Sequence, residues 1–398
     1  MRVAKTYLDI LLLYRLMKNS LLLSQICILS LFLFSLSTNA QGDKAEVIFN
    51  SQVQVNVKGE DRKLLTEDLS YFLTSINYNT INEKSGVDIN YLKTDPNPFP
   101  FLMNVQKSGR YNNPFFYKPV VSYVVPKSNG TYIVKIAFLA LEPDSQNPVL
   151  REVSSIVAKK VDGRFKFYPP LEEYTGEWQY KQIGNIIYHY QDDLNDKVAK
   201  RFSKFNAELA KEFNTDPIVV NYYKCKDPRE VFYLLGSDYA VNAYLSNTGG
   251  LAQSWRNYVF SGNNSEWYPH ELVHLYTAKR FGTSLNRIAD EGYCTYLGGS
   301  GDVALKDLKN VLKNFLIQEP NSDILHLFLS DHQIDSKTSF LYTVSGLLME
   351  KITEVHSLEG VEKIISTPNN EDAYFDTLDE LLQINKTNFS EKIRNLLE

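Results

Sequence analysis

Three residues that can bind metal and transfer protons stand close together at His270, Glu271 and His274. Residues four apart on an α-helix lie one turn above each other on the same face, so the two imidazoles can bind one metal ion. Glu271 is rotated by about 100° from His270, which places its carboxylate where it can accept a proton from a metal-bound water. The pattern therefore predicts a zinc site with a general base. The alternative is a helix with two surface histidines and no metal.

A second acidic motif follows this helix and can supply a further ligand. Phe281-Gly282 is typical of a helix C-terminus, and a new helix can begin at Asn286 and carry Asp290 and Glu291. Catalytic zinc usually has three protein ligands and one water. Because Asp290 and Glu291 are adjacent, only one of them can point at the metal.

The two motifs together resemble those of the gluzincin metallopeptidases, which include thermolysin-like enzymes and the peptidase MA-like group. The likeness covers roughly residues 185–365 and is specific for the two motif helices. In that family the third ligand is a glutamate between an acidic residue and a glycine. The resemblance therefore implies that one zinc ion is bound by His270, His274 and Glu291, with Glu271 as the general base. The other possibility is that Asp290 is the ligand.

The same resemblance implies two further parts of an active site. In this family an edge strand before the zinc helix pairs with the substrate backbone, and the candidates here are Gly249, Gly250, Leu251 and Ala252; the alternative is an ordinary loop turn. A tyrosine or histidine on a later helix often stabilises the oxyanion. Tyr342 has a suitable position, and the alternative is a tyrosine of the core. The other candidates for this role are His326, His332 and His356.

The reaction that these residues imply is hydrolysis of a bond in a peptide or protein substrate. Zinc would polarise the carbonyl and the water, Glu271 would carry the proton to the leaving amine, and Tyr342 would stabilise the intermediate. Two alternatives stay open: a non-catalytic zincin-fold binding or adhesion module, and a zinc hydrolase of a non-peptide substrate. A purely structural zinc would have a fourth protein ligand, for which Cys294 is the candidate.

The first forty residues have the features of a secretory signal peptide. Arg15 and Lys18 precede an apolar run over residues 21–36, and Ala40 precedes the expected cleavage site. The alternative is a signal anchor that is not cleaved. No later stretch has the roughly 18–20 apolar residues of a membrane span. The protein is therefore expected to be exported, to the periplasm, the cell surface or the medium, with no membrane span after cleavage.

Charge and cysteine content narrow the choice of partners. The whole chain has a net charge of −5 at pH 7, and removal of residues 1–40 takes away four basic residues and one acidic residue, which leaves −8. An acidic protein is poorly suited to bind nucleic acid. Cys225 and Cys294 remain, which is too few for a disulfide framework, and both are expected to be buried thiols.

The elements that must position these residues predict an α+β fold in two domains. The pair Pro169-Pro170 indicates a boundary, so residues 41–172 are expected to form a small N-terminal domain whose partner is not predicted. Its order of elements resembles NTF2-like or cystatin-like folds. Its expected elements are a helix at 59–76 and strands at 45–57, 120–125, 131–141, 153–161 and 164–168, with turns at Asn129-Gly130 and Asp162-Gly163.

Residues 173–398 are expected to form the gluzincin-like domain. This domain would have a mixed sheet packed on the helices of the zinc site and a helical C-terminal part. Before the zinc helix, the expected elements are strands at 185–190 and 217–223, helices at 192–213 and 228–235, and extended segments at 242–252 and 255–261.

Overall fold

The computed structural model describes residues 44–50, 57, 59–127, 129–241 and 249–398. The fold is α+β, as predicted, with helices packed against two mixed sheets. The expected signal peptide at 1–40 lies outside the described residues, as do residues 51–56 of the first expected strand and 242–248 of the segment before Gly249. No helix of the described part is long and apolar enough to cross a membrane.

The first sheet has the order β1-β2-β3-β4-β5. Asp162 and Gly163, which join its last two strands, have φ angles of 50° and 78°, as in a two-residue type I′ turn. The predicted strands at 120–125, 131–141, 153–161 and 164–168 are confirmed, although the strand predicted at 153–161 already begins at Pro148. The strands are β1 Ile48–Phe49, β2 Lys118–Pro126, β3 Thr131–Leu141, β4 Pro148–Val161 and β5 Arg164–Tyr168.

One long helix covers this sheet. The predicted helix at 59–76 is confirmed as α1 (Gly59–Asn77), and its apolar face packs into a core shared with β2–β5. A short helix that was not predicted, α2 (Ile89–Thr94), follows; the Asp88 side chain caps it by accepting a hydrogen bond from the Asn90 N–H. The buried residues of α1 in this core are Leu65, Leu69, Phe72, Leu73 and Ile76.

The second sheet has the order β10-β11-β8-β7-β6. Its three central strands are parallel, and both edge strands are antiparallel to their neighbours. The predicted extended segment at 255–261 is wrong at its start, because residues Ser254–Arg256 form a 3₁₀ turn. The strands are β6 Gln179–Ile183, β7 Ile186–Tyr190, β8 Val220–Lys224, β10 Gly250–Gln253 and β11 Tyr258–Ser261.

A strand from the later part of the chain joins the first sheet. β9 (Ser237–Ala240) pairs with β4, antiparallel. Lys135 and Asp238 form an ion pair of 2.9 Å beside this pairing, and the Ser237 hydroxyl donates a hydrogen bond of 2.5 Å to the buried Glu152. The two parts of the chain therefore share a sheet across Pro169-Pro170, and the domain boundary stays a prediction.

Helices form most of the chain after the second sheet. The predicted helix at 192–213 starts only at Asp196, because the Asn195 side chain accepts hydrogen bonds from the next turn and caps the helix there. The long helix near the C-terminus is kinked at Ser357, where φ is 54°. The helices are α3 Leu171–Thr175, α4 Asp196–Glu212, α5 Pro228–Leu234, α6 Pro269–Phe281, α7 Arg287–Gly298, α8 Leu305–Gln318, α9 Ile324–Leu329, α10 Phe340–Ile365, α11 Glu371–Leu382 and α12 Phe389–Leu396.

Candidate metal centre

Helix α6 carries the histidine pair and has an apolar back. Pro269 is its first residue, where a missing N–H costs nothing because that donor has no partner inside the helix. The N-cap position is Tyr268, and no side chain caps the helix. Leu272 and Val273 are fully buried in the core, so the opposite side of the helix turns its polar residues outward to the cleft.

Helix α7 lies close to α6 because glycines stand at the contacts. Its N-cap is Asn286, as predicted, and the Asn286 side chain accepts hydrogen bonds from the first turn. A Cβ atom added to Gly298 would lie 2.6 Å from the His270 backbone N, and one added to Gly292 would lie 2.8 Å from the backbone of Ser345 in α10. A larger residue at either position would push the helices apart, so these two glycines allow the close packing of α7 against α6 and α10.

The two histidines and Glu291 converge on one point. Glu291 Oε2 lies 3.1 Å from His270 Nε2 and 3.5 Å from His274 Nε2, and the imidazole centroids are 4.9 Å apart. In a tetrahedral zinc site with bonds of about 2.0–2.1 Å, neighbouring ligand atoms are about 3.3–3.4 Å apart. The separations from Glu291 fit this value, so the three side chains can hold a zinc ion with little movement.

The outer ring nitrogen of each histidine also has a partner. His270 Nδ1 lies 2.7 Å from the Gly299 carbonyl oxygen, which can only accept, so Nδ1 carries a proton and Nε2 is the ring atom that is left to bind a metal. His274 Nδ1 lies 2.9 Å from Asp290 Oδ2 in the same way. Such partners orient metal-binding histidines. Asp290 therefore lies behind His274, and the geometry favours Glu291 over Asp290 as the third ligand.

Asp290 gives the first testable prediction. In Asp290→Ala the zinc affinity should fall about 10–100-fold, because His274 loses the partner that fixes its orientation. Competition with a chromophoric chelator measures this change. Asp307→Ala, which removes an exposed carboxylate on α8, should leave the affinity unchanged. Equal affinities of the Asp290 variant and the wild type would show that this contact does not support the site.

Cys294 lies on the far side of His274 from the convergence point. Its Sγ is 3.2 Å from His274 Nδ1 and 3.8 Å from Asp290 Oδ1. The two ring nitrogens point away from the ring in different directions, Nδ1 towards Cys294 and Nε2 towards Glu291, so Cys294 is not placed to be a fourth ligand beside His270 and Glu291. It forms a second possible ligand group with His274 and Asp290, but its side chain is fully buried behind the cleft. Cys225 and Cys294 are both buried free thiols.

Protons and metal compete for this cluster. Burial alone would raise the pKa of the Glu291 carboxyl, but its hydrogen bonds to His270 and His274 hold that pKa well below its usual range. Burial would likewise lower the pKa of His274, yet Cys294 and Asp290 raise it well above the ordinary value. A metal ion can bind only when the ligand atoms of these side chains have lost their protons. The zinc affinity is therefore expected to fall as the pH falls.

Glu271 is buried beside the convergence point and beneath the edge strand β10. Burial raises the pKa of its carboxyl, and His274 and His270 act against this. The backbone N–H of Ala252 donates a hydrogen bond to it. A Cβ atom added to Gly250 would lie 2.9 Å from Glu271 Cγ, so only glycine lets the strand lie this close. Glu271 is thus held between the two histidines and the strand.

The strand β10 directs peptide groups to the cleft. The Gly262 N–H donates a hydrogen bond of 2.8 Å to the Gly249 carbonyl, in register with the pairing of Gly250 with Ser261. Bonded and non-bonded pairs alternate along antiparallel strands, so Gly250 and Ala252 turn their own N–H and C=O groups away from β11. Of the four predicted residues, Gly250, Leu251 and Ala252 line the cleft and Gly249 does not.

Tyr342 is the oxyanion candidate that reaches the cleft. It lies in the first turn of α10, and its ring centroid is 5.8 Å from that of His270. His326, His332 and His356 do not line the cleft. The centroids of the His332 and Phe340 rings are 6.0 Å apart. His356 Nε2 lies 2.8 Å from the Leu381 carbonyl, so its role is structural.

The cleft has a volume of about 530 Å³ and brings most of the predicted residues together. It also contains residues that the sequence analysis missed. Trp255 lies just after the predicted strand, and Arg287 lies one helical turn before Glu291, so spacing from the motif could have indicated both. Asn369 is far away in sequence and gave no such signal. The other lining residues that were missed are Ser254, Ala278, Thr283 and Leu285.

The N-terminal part of the chain holds the end of the cleft in place. Asp95 is almost fully buried and accepts hydrogen bonds from Trp255 Nε1 at 2.8 Å and Arg256 Nη1 at 3.2 Å. Arg256 also bonds the hydroxyl groups of Tyr91 and Tyr258, each at 3.0 Å. Because Trp255 lines the cleft, Asp95 links the part of the chain that forms the first sheet to the cleft.

Removal of this carboxylate should destabilise the protein strongly. In Asp95→Ala the free energy of unfolding should fall by about 3 kcal/mol, because Arg256 is left buried without its charge partner. Urea denaturation followed by fluorescence measures the loss. Arg110→Ala breaks an ion pair at the surface and should cause a much smaller loss. Equal losses in the two variants would contradict a special role for Asp95.

No family model matches this chain, and no curated protein has significant sequence similarity to it.

Proposed function

We propose that this protein is a zinc-dependent peptidase. The observation that carries the proposal is the convergence of His270 Nε2, His274 Nε2 and Glu291 Oε2, with a fourth side open to a cleft that also holds Glu271. A structural zinc site is usually closed by four protein ligands. Cys294, the candidate for that fourth ligand, lies behind His274, which favours a catalytic site.

The chain's own residues supply the proton transfers. A zinc ion at this site would act as a Lewis acid and lower the pKa of a water in the cleft. Glu271 is the base that accepts the water's proton, and it donates this proton to the leaving nitrogen when the peptide bond breaks. Burial raises the pKa of Glu271, which brings an ordinary carboxyl closer to the pH at which it must both accept and release a proton.

The edge strand supports a peptide as the substrate. Gly250 and Ala252 turn peptide groups to the cleft, as described above. The Ala252 N–H already donates to Glu271, but the Ala252 carbonyl and the peptide groups of Gly250 can pair with an extended peptide that binds as an additional strand. Main-chain pairing of this kind holds a substrate whatever its side chains, while the cleft of about 530 Å³ accommodates the side chains next to the cleaved bond. A non-peptide substrate would make no use of these groups.

Tyr342 is proposed to stabilise the oxyanion. Its hydroxyl can donate a hydrogen bond because burial raises the pKa of the phenol well above its usual value and keeps it protonated. Tyr342→Phe should lower kcat about 100-fold and leave zinc binding intact. Tyr180→Phe, which removes the hydroxyl of an exposed tyrosine, is the control. An unchanged kcat in the Tyr342 variant would remove this residue from the mechanism.

The proposed activity can be tested on the purified mature chain. Elemental analysis should give one zinc ion per chain. The untreated protein should cleave members of a peptide library, the chelator-treated protein should cleave none, and addition of zinc should restore the cleavage. Absence of bound zinc would refute the proposal. Stoichiometric zinc without any cleavage would favour a non-catalytic binding or adhesion module, and cleavage of esters or other non-peptide substrates alone would favour a different hydrolase.

Export is part of the proposal. The apolar segment at 21–36 and Ala40 fit a signal peptide, so the peptidase would act in the periplasm, at the cell surface or outside the cell. N-terminal sequencing of the exported protein should begin at Gln41. Recovery of the unprocessed chain in the membrane fraction would instead indicate an uncleaved anchor.

A further inference from the structure

The charged residues that line the cleft fall into two groups. Glu271, Asp290 and Glu291 all belong to the proposed zinc site. Arg287 is the one Lys or Arg among the described residues that line the cleft. It is the first residue of α7, its side chain is exposed, and no interaction described above gives it a task.

The position of Arg287 is close to the proposed reaction. Arg287 and Glu291 are four residues apart on one helix, and the Cβ atoms of such pairs are about 5–6 Å apart. Burial, Glu291 and Glu271 raise the pKa of Tyr342, and the positive charge of Arg287 acts in the opposite direction. Arg287 therefore lies one helical turn from Glu291, in the cleft that Tyr342 also lines.

The acidic groups that line a neighbouring hollow already have partners. A second hollow of about 620 Å³ adjoins the cleft at Arg287 and Asn369 and is also lined by Asp331, Glu371 and Asp372. The Ser339 hydroxyl bonds to Asp331, and Lys386 pairs with Asp372 at 2.8 Å and with Glu371 at 3.9 Å. Within the part of the chain that the structure describes, Arg287 takes part in no ion pair.

We infer that Arg287 binds a carboxylate of the peptide substrate. Its guanidinium has donors in a fork that matches a carboxylate, and its backbone N–H is already used by Asn369 Oδ1 at 3.0 Å, which fixes the start of the helix. The inference rests on the proposed peptidase function. An extended peptide rises by about 3.3 Å per residue, so the carboxylate would lie within about two residues of the cleaved bond.

Such a carboxylate has two sources in a peptide, an acidic side chain or the free C-terminus. Two pairs of peptides distinguish them. The first pair differs by Glu or Gln within two residues of the cleaved bond, and the second by a free or amidated C-terminus at the same distance. In one of the two pairs, the wild type should cleave the charged peptide with a kcat/KM about 10-fold higher than that of its neutral partner. This factor is at the lower end of the range for a hydrogen bond to a charged group, because the site is exposed.

The variant Arg287→Gln should abolish this preference. Glutamine is a good helix former at an exposed position, so the fold should be kept. Arg287→Lys should keep part of the preference, because the charge remains but the fork is lost. Arg280→Gln removes an exposed arginine of α6 that does not line the cleft and should keep the full preference. A charge preference that Arg287→Gln leaves unchanged, or a wild-type preference for neutral or basic peptides, would overturn the inference.

Binding measurements separate this inference from the proposed activity. The zinc-loaded Glu271→Gln protein should bind the charged peptide about 10-fold more tightly than its neutral partner, and the Glu271→Gln/Arg287→Gln protein should bind both equally. Isothermal titration calorimetry gives both dissociation constants without catalysis. If wild type cleaves nothing, the proposed function fails while the binding result still decides the role of Arg287. Equal binding of both peptides to the single variant, or failure to bind either, would refute that role.

Discussion

The variant Glu271→Gln should bind one zinc ion and lose peptide hydrolysis by a factor of about 10² to 10⁴. Glutamine has the shape of glutamate but cannot accept the proton of the water. The ligand atoms of His270, His274 and Glu291 are unchanged, so zinc content by elemental analysis should equal that of the wild type, and kcat with a cleaved library peptide should show the loss.

The stability of this variant gives a second readout. Burial raises the pKa of Glu271, which means that the folded state disfavours its ionised form. A carboxyl with a raised folded-state pKa costs stability above that pKa, and the cost disappears as the pH falls below the unfolded-state value. A neutral glutamine has no such cost. Glu271→Gln should therefore be at least as stable as the wild type in zinc-free buffer at neutral pH.

A matched control makes the loss specific. Glu208→Gln makes the same chemical change at an exposed position of α4, and it should keep the activity, zinc content and stability of the wild type. Hydrolysis by Glu271→Gln at the wild-type rate would refute the assignment of the base. Loss of zinc from this variant would instead mean that Glu271 binds the metal.

Local periodicity explains which parts of this protein could be predicted from sequence. The spacing of His270 and His274 fixes their common face on a helix whatever surrounds them. Two-residue turns such as Asp162-Gly163 likewise specify a hairpin from their own backbone preferences. These predictions depended on residues within a few positions of each other, and they extended to the strands of the first sheet and to α1.

Contacts between distant residues explain what could not be predicted. The Asp95 side chain accepts a hydrogen bond from Trp255, 160 positions away, and β9 joins a sheet whose other strands all come before Pro169. Neither pairing leaves a signal in the local sequence. The polar residues just before Pro269 likewise do not cap α6, because the fold uses them in the preceding turn, where the Asn263 side chain accepts a hydrogen bond from the Ser265 N–H.

The candidate metal site depends on both local spacing and contacts between distant residues. Each motif helix could be predicted alone, but the approach of α7 to α6 depends on Gly298 against the backbone of His270, a contact across 28 positions. The partners of the outer ring nitrogens, Gly299 and Asp290, follow from that approach. The spacing of the motif did not distinguish Asp290 from Glu291 as the third ligand. The resemblance to the gluzincins favoured Glu291.

The variant His274→Ala should lose zinc completely. His274 supplies one of the three proposed ligand atoms, and its ring also lies between Glu291 and Asp290. The remaining pair, His270 and Glu291, binds zinc too weakly to keep it through dialysis, because catalytic sites depend on three protein ligands. Elemental analysis should give about one zinc per chain for the wild type and none for the variant.

Thermal denaturation can show that this loss belongs to the site and not to misfolding. A ligand that binds only the folded state stabilises it by about 2.7 kcal/mol at a free concentration of 100 Kd, so added zinc should raise the Tm of the wild type and leave that of His274→Ala unchanged. His356→Ala is the control. Within the described part of the chain, the side chain of His356 hydrogen-bonds to the Leu381 carbonyl alone, so this variant should keep both the bound zinc and the rise in Tm on adding zinc. A folded His274→Ala protein that retains stoichiometric zinc would place the metal elsewhere, and the proposed peptidase would have no zinc at its cleft.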